Sequence, residues 1–241
     1  MLESKKWQII LHAIHKKVSF FQAVKSVITG LSAGVITPNR IGEYAGRSMV
    51  GNNRHERTEI FLASLLSSAV QSTITFIAGL PAYWYVAQSY GNIMVSIEVA
   101  VIYLILVAII FLVKKNEAKK LFALFQKQSL SFFFRIFGLS AIRFLIFAIQ
   151  LFLIFQAFNY HPSFQNSFMA LSAMYFMVMF IPSIFWAEPG IRGSTAAYIF
   201  PLWGINGKIS VVAVSILWLV NVALPVAIGG IIILTTKNKE R

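Results

Sequence analysis

The sequence has no cysteine and no aspartate, and only 12% of its 241 residues are charged. The missing cysteines exclude disulfides and cysteine-ligated metal sites. The chain also lacks a Walker A loop and an HExxH motif, which excludes ATP hydrolysis by a P-loop and one common kind of zinc catalysis. The four histidines have no metal-ligand spacing, so we expect no cofactor, no bound metal and no enzymatic activity.

Apolar residues make up 58% of the chain, and its mean hydropathy is +0.73. Such values are typical of integral membrane proteins rather than of soluble domains. The net charge is +13, from 21 Lys and Arg against 8 acidic residues. Because the basic residues collect in short loops between apolar segments, they indicate cytoplasmic loops that face anionic lipid, and we expect no nucleic-acid partner.

The apolar pattern predicts an all-α, polytopic membrane protein with one integral membrane domain over residues 1–241. Four segments are long enough to cross the bilayer, at residues 58–79, 93–113, 139–158 and 209–234. Residues 1–17 predict an amphipathic helix on the inner surface, because Trp7, Ile10, Leu11 and Ile14 follow a helical spacing among lysines.

Two segments, 18–50 and 167–203, each contain an apolar arm, a break rich in Pro, Gly and charge, and a second short arm. If residues 167–186 crossed fully, the cationic C-terminal tail would lie outside, against the positive-inside rule. A re-entrant hairpin keeps both termini and every basic loop in the cytoplasm. We therefore expect two re-entrant helical hairpins that enter from opposite sides in an inverted-repeat-like arrangement.

The break of the first hairpin is the main candidate site. Arg40, Glu43 and Arg47 are spaced so that a helix would place them on one face, next to Pro38, Asn39 and Gly42. Charges at membrane depth usually mark a substrate or ion path, and arginine binds phosphate with a planar fork. The alternative is that these groups only pair with one another or reach the inner interface.

The second break carries Glu188 and Arg192 at a spacing of four, either as a structural pair or as a substrate contact. We expect the two breaks to meet, since the hairpins enter from opposite sides. Arg143 and Gln150 lie seven residues apart on one predicted helix face, which suits a shared polar lining, although Arg143 alone could reach the inner headgroups.

These motifs resemble a known family. The segment from Gly34 to Arg47, with its Pro-x-x-x-Gly-Glu core, is similar to the signature of the lysylphosphatidylglycerol synthase transmembrane region, also called the flippase-like family. The segment from Ser140 to Gln150 resembles that family's following helix, and residues 182–193 resemble its second glycine-rich break more loosely.

The resemblance implies a bacterial inner-membrane lipid translocase whose partners are membrane lipids, either anionic phospholipid or a lipid-linked phosphate. Members of the family usually carry about two more helices before the first motif, so the chain is expected either to be an N-terminally short form or to lack its N-terminus. Members that make aminoacylated lipid have a large soluble synthase domain, which the segments matched here do not include.

The sequence leaves three functions open. The first is a flippase-like transporter that passes the lipid headgroup through a polar cleft at the two breaks. The second is a membrane enzyme that acts on a lipid phosphate with Glu43 or Glu188 as the general base. The third is a non-catalytic membrane scaffold. A homo-oligomer and a partner membrane chain are both compatible with the sequence.

Overall fold

The computed structural model describes residues 1–49, 51, 53–89, 119, 123 and 125–237. All regular secondary structure in its described part is helical, which confirms the predicted all-α class there. The nine α-helices of this part are α1 Leu2–Ala13, α2 Phe20–Gly34, α3 Ile41–Ser48, α4 Arg54–Ser89, α5 Leu130–Ala157, α6 Phe164–Val178, α7 Glu188–Ile199, α8 Gly207–Trp218 and α9 Leu224–Lys237. A π-helical turn, Leu219–Ala223, makes α8 and α9 continuous.

Three of these stretches are long and apolar enough to cross a membrane: Arg54–Gln88, Leu130–Ala157 and Gly207–Ile233. They cover the predicted spans at 58–79, 139–158 and 209–234. The fourth predicted span, 93–113, lies outside the described residues. Large apolar side chains stay exposed on α5, such as Ile142, Leu145 and Leu153, as expected for helices that face lipid.

The first hairpin consists of α2 and α3. Ser19 begins α2 with a reciprocal capping box to Gln22. After a short 3₁₀ turn, Pro38–Arg40, the chain reverses. Because Gly30 approaches Arg47 while Gly34 approaches Glu43, the two arms are antiparallel.

Glycines let the two arms of this hairpin touch along their backbones. A Cβ on Gly46 would lie 2.7 Å from the Cβ of Ala33, and one on Gly42 would collide with the Ala33 carbonyl oxygen. Gly30 and Gly34 on α2 face Gly42 and Gly46 on α3, so both arms carry the small-xxx-small spacing of close membrane helix pairs.

The second hairpin consists of α6 and α7, joined through a 3₁₀ turn at Phe185–Ala187. The Asn166 side chain donates to the Trp203 carbonyl (3.2 Å), while Arg192 lies over the Tyr175 ring, so these arms are also antiparallel. The helix–break–helix pattern predicted for 167–203 is therefore present, with its first helix beginning at Phe164.

The two hairpins pack reciprocally. The first arm of each lies against the long helix that follows the other. A Cβ on Gly79 of α4 would lie 2.8 Å from the Ser172 carbonyl oxygen of α6, and one on Gly229 of α9 would lie 2.8 Å from Ile28 Cγ2 of α2. The Ser32 hydroxyl also donates to the Val226 carbonyl (2.7 Å). This exchange brings the two breaks into contact with each other.

Helix α1 differs from the predicted inner-surface helix. Trp7, Ile10, Leu11 and Ile14 are 0–5% exposed and belong to a core shared with α2, α4 and α5. The apolar side of α1 therefore contacts protein, not lipid. The helical spacing was predicted correctly, but spacing does not distinguish a lipid-facing apolar stripe from one that packs in a core.

Candidate functional site

The tips of the two hairpins contact each other through one ion pair. Arg40 donates from Nε to Oε1 of Glu188 and from Nη2 to Oε2, both at 2.6 Å. The Trp218 indole donates to the same carboxylate at 3.0 Å, and Arg192 Nη2 lies 3.6 Å from it. The side chain of Arg40 is 21% exposed and that of Glu188 is 7% exposed. The expectation that the two breaks meet is confirmed by this contact.

The backbone at Arg40 is left-handed, with φ 55° and ψ 31°, where the 3₁₀ turn passes into α3. This conformation costs roughly 1–2 kcal/mol for a residue with a side chain. His15 and Asn159 also have positive φ, but each follows a helix C-terminus, where such a residue is common. At Arg40 the conformation precedes a helix, and the Gly42 amide donates to Thr37 Oγ1 (2.7 Å) across the same turn.

A cavity of about 580 Å³ lies beside the tips, between α1, α2, α3, α4, α5 and the π-helical turn. Its polar lining includes Lys6, Arg40, Glu43, Tyr44, Arg47 and Arg143. No described residue of the second hairpin lines this cavity. The Arg40–Glu188 pair therefore stands at the boundary between the cavity and the second hairpin.

Glu3 forms ion pairs with three cations of this cavity. Its Oε1 accepts from both terminal nitrogens of Arg47 at 3.3 Å and from the Ser67 hydroxyl at 3.1 Å. Its Oε2 lies 2.9 Å from Lys6 Nζ and 2.8 Å from Arg143 Nη1. Arg47 also binds Glu43 one turn earlier on α3, at 2.5 Å. One carboxylate therefore holds cations from three separate helices.

This network carries a residual positive charge. The cations Lys6, Arg47 and Arg143 face two carboxylates, Glu3 and Glu43. Burial raises the pKa of Glu3, but Arg143, Lys6 and Arg47 outweigh burial and hold that pKa far below its ordinary value. Glu3 is thus ionised at neutral pH, and the cluster as a whole favours one further anion.

We expect Glu3→Gln to destabilise the protein by about 3–5 kcal/mol, because it leaves Lys6 and Arg47 buried without their shared counter-ion. Thermal unfolding of the detergent-purified protein measures this loss. Glu59→Gln, which removes a 3.7 Å contact with the exposed His55 ring, is the matched control and should change stability by less than about 1 kcal/mol.

The same network predicts an acid limit on stability. A carboxylate whose pKa is lowered by folding contributes stability above its ordinary value of 4.5, and this contribution is lost as the pH falls below that value. The acid-side decline should therefore be smaller in Glu3→Gln than in the wild type. An unchanged decline would show that Glu3 is not its source.

The predicted site residues fall into two groups. Four line the cavity: Arg40, Glu43, Arg47 and Arg143. The other predicted residues lie outside the cavity lining. Glu188 and Arg192 form the second tip. Gln150 accepts a hydrogen bond of 2.9 Å from Asn221, and Asn221 lines the cavity. Pro38 and Asn39 form the 3₁₀ turn, and Gly42 packs against α2. Their role in binding a substrate stays a prediction.

Of the alternatives raised by the sequence, the pairing of Arg47 with Glu43 is present. Arg143 instead binds the internal carboxylate of Glu3, and its guanidinium lies 5.3 Å from the centre of the Phe147 ring. Three polar residues of α4 also line the cavity: Ser64, Ser68 and Gln71. The Tyr44 hydroxyl donates to Ser68 (2.8 Å).

Sequence reasoning missed Glu3, Lys6, Trp218 and Asn221. One signal for Glu3 was present, since Glu3, Trp7, Ile10 and Ile14 follow one another at intervals of four, three and four. A carboxylate that extends a buried apolar stripe is expected to find a partner. Asn221 lies in the π-helical turn, a feature that often marks functional sites but has no reliable sequence pattern.

A family model described as "Lysylphosphatidylglycerol synthase TM region" matches residues 1–229. No curated protein and no solved structure matches the chain.

Proposed function

The chain belongs to the family of the lysylphosphatidylglycerol synthase transmembrane region, and from this premise we propose that it is a flippase-like lipid transporter. It moves a phospholipid or related lipid with an anionic headgroup between the two leaflets. The family supports a membrane protein in a lipid-related role. The polar cavity beside the hairpin tips supports the particular activity.

The observation that carries the proposal is the positive charge of this cavity within an apolar protein. A phosphate that leaves water for a bilayer loses its hydration, which is the main barrier to lipid translocation. Arg40, Arg47 and Arg143 line one space with an excess of cations over carboxylates. Guanidinium groups stay charged when buried and bind phosphate oxygens in pairs, so they can replace the lost hydration while the acyl chains stay in lipid.

We place the protein in the bacterial inner membrane, with both termini cytoplasmic and four full spans. The two hairpins enter from opposite sides as an inverted repeat. The reciprocal packing of α4 on α6 and of α9 on α2 supports this arrangement, because a two-fold relation between the halves would repeat each contact. The first hairpin is flanked by cations on both sides, Lys16 and Lys17 before it and those of residues 54–57 after it, as the positive-inside rule expects for a hairpin that enters from the cytoplasm.

Transport then requires the hairpins to move against each other. In the structure the cavity reaches the first hairpin and ends at the Arg40–Glu188 pair. Rocking of one half would separate the tips and expose Arg40 to the other side, so the headgroup site would alternate between the leaflets. A phosphate bound to Arg40 competes with Glu188, which couples loading to release of the tips.

The geometry favours a transporter over a lipid-phosphate enzyme. Both candidate bases are engaged by guanidinium groups, Glu43 with Arg47 and Glu188 with Arg40. Ser32 stands in a Gly-x-Ser-x-Gly sequence, but it lies inside α2 and lacks the strand-to-helix turn of a hydrolase nucleophile. We therefore propose that the chain has no enzymatic activity of its own.

Purified protein in phosphatidylcholine vesicles should speed the movement of fluorescent phosphatidylglycerol between leaflets, measured as the fraction bleached by an external quencher. Fluorescent phosphatidylcholine, whose headgroup has no net charge, should move more slowly. Mass spectrometry of the recovered lipid should show the same molecule. Rates equal to those of empty vesicles would reject transport, and a chemically changed lipid would favour the enzyme.

A further inference from the structure

A second, smaller cavity of about 210 Å³ lies where the loop after α1 meets α2, α3 and the start of α4. Three consecutive basic residues line it: His15, Lys16 and Lys17. Glu56 is the one acidic residue among its described lining residues, and it pairs with Lys16 at 2.5 Å. This ion pair ties the end of α1 to the start of α4 and forms one wall.

Arg47 lines both cavities. Its side chain is 5% exposed, and its terminal nitrogens hold Glu3 and Glu43 on the side of the large cavity. Its Nε is buried and has no hydrogen-bond partner among the described residues. An unpaired N–H on a buried cation is costly, so this donor is suited to a ligand. One guanidinium thus separates two cavities and keeps one donor uncommitted.

The lining of the small cavity is positive even with histidine neutral. Lys16, Lys17 and Arg47 supply three cations against the carboxylate of Glu56. Its volume equals that of about seven liquid waters, which admits a phosphate group with a short polar headgroup but excludes acyl chains. The chemistry is that of a phosphate ester whose tails remain outside.

We infer that the small cavity is a second anion site, which loads the phosphate of a lipid headgroup before it reaches the large cavity. The inference rests on the proposed function in one respect, the direction of transfer. The lysines attract the phosphate, and Arg47 passes it from the small cavity to the large one. The site belongs to the leaflet that faces Lys16 and Lys17.

Protection of lysines from acylation tests binding without transport. Detergent-purified protein is treated with an amine-reactive reagent in the presence of dihexanoyl phosphatidylglycerol, and each lysine is quantified by mass spectrometry. We expect Lys16 and Lys17 to be protected several-fold, while the exposed Lys5 and Lys25, which line neither cavity, stay reactive. Equal reactivity of all four lysines with and without the lipid would overturn the proposal.

Inorganic phosphate in place of the lipid identifies the source of the ligand. Protection by the lipid alone assigns the site to a headgroup, whereas equal protection by both assigns it to phosphate in general and overturns the loading role. Protection of Lys5 and Lys25 to the same extent would show only attraction to a basic surface, which also overturns the site.

A matched pair of double variants tests loading. Lys16→Gln with Lys17→Gln removes two charges from the small cavity, and Lys5→Gln with Lys25→Gln removes two outside it. We expect the first variant to raise the lipid concentration for half-maximal transport about tenfold, with the maximal rate unchanged, and the second to leave both unchanged. Identical kinetics in the two variants would refute loading.

The two proposals can fail separately. If the wild type moves no lipid but Lys16 and Lys17 are still protected by the short-chain lipid, the transport function is wrong and the anion site remains. If the wild type transports lipid and these lysines are not protected, the small cavity is not a lipid site and the transport function stands.

Discussion

Arg40→Gln should slow lipid transport about tenfold or more, whereas Glu188→Gln should leave most of it intact. The two substitutions break the same ion pair, but only the first removes a guanidinium from the cavity. A charged, two-pronged contact contributes about 1.5–3 kcal/mol, so its loss should slow translocation about tenfold or more. The measurement is the bleaching of fluorescent phosphatidylglycerol in reconstituted vesicles.

Thermal unfolding of the same two variants separates binding from structure. Both should lower the stability by similar amounts, since each leaves one charge of the tip contact without its main partner. If transport falls equally in both variants, the ion pair matters only as a brace between the hairpins, and Arg40 does not contact the substrate. Arg40→Lys adds a third comparison, because it keeps the charge but loses the fork.

Gly42→Ala should destabilise the protein by about 1–3 kcal/mol, the usual cost of forcing extra volume into a packed contact. Its new Cβ would collide with the Ala33 carbonyl oxygen on α2 and lie 2.9 Å from Thr37 Oγ1. Backbone atoms cannot move aside as a flexible side chain can, so the arms of the first hairpin must separate. The shift of the thermal unfolding midpoint measures this cost.

Gly190→Ala is the matched control. Gly190 lies in the first turn of α7, in the corresponding arm of the second hairpin, and a Cβ there would meet nothing within 4 Å. Alanine favours a helix over glycine by about 1 kcal/mol, so this variant should be neutral or slightly more stable. Equal destabilisation by the two substitutions would show that the glycine contact between α2 and α3 is not the reason for the loss.

The contact between the two tips was predictable from the sequence pattern only in part. Two breaks of similar composition and the distribution of basic residues were enough to predict that residues 38–43 and 188–193 meet. Neither feature predicted that the partner of Arg40 would be Glu188 instead of Glu43. On a helix Arg40 and Glu43 are neighbours, but Arg40 lies in a left-handed turn before α3 begins. Glu43 binds Arg47 instead.

The packing of α1 was not predictable in this way. Its helical stripe was clear, but a stripe records only which residues avoid water. Whether lipid or protein covers it depends on what else is nearby, and here α2, α4 and α5 cover it. Glu3 was passed over for the same reason: its partners Arg47 and Arg143 are 44 and 140 residues away in the chain.

Apolar runs, charge placement and glycine-rich breaks were sufficient for the helical class, the membrane character and the residues at the breaks, because these follow from local composition and from the cost of polar groups in lipid. The family was suggested by the resemblance of one motif, Gly34 to Arg47. The choice of ionic partners, the shared position of Arg47 between two cavities and the burial of α1 came from packing. Those depend on which distant surfaces approach within a few ångströms, and no local pattern of side chains encodes such a distance.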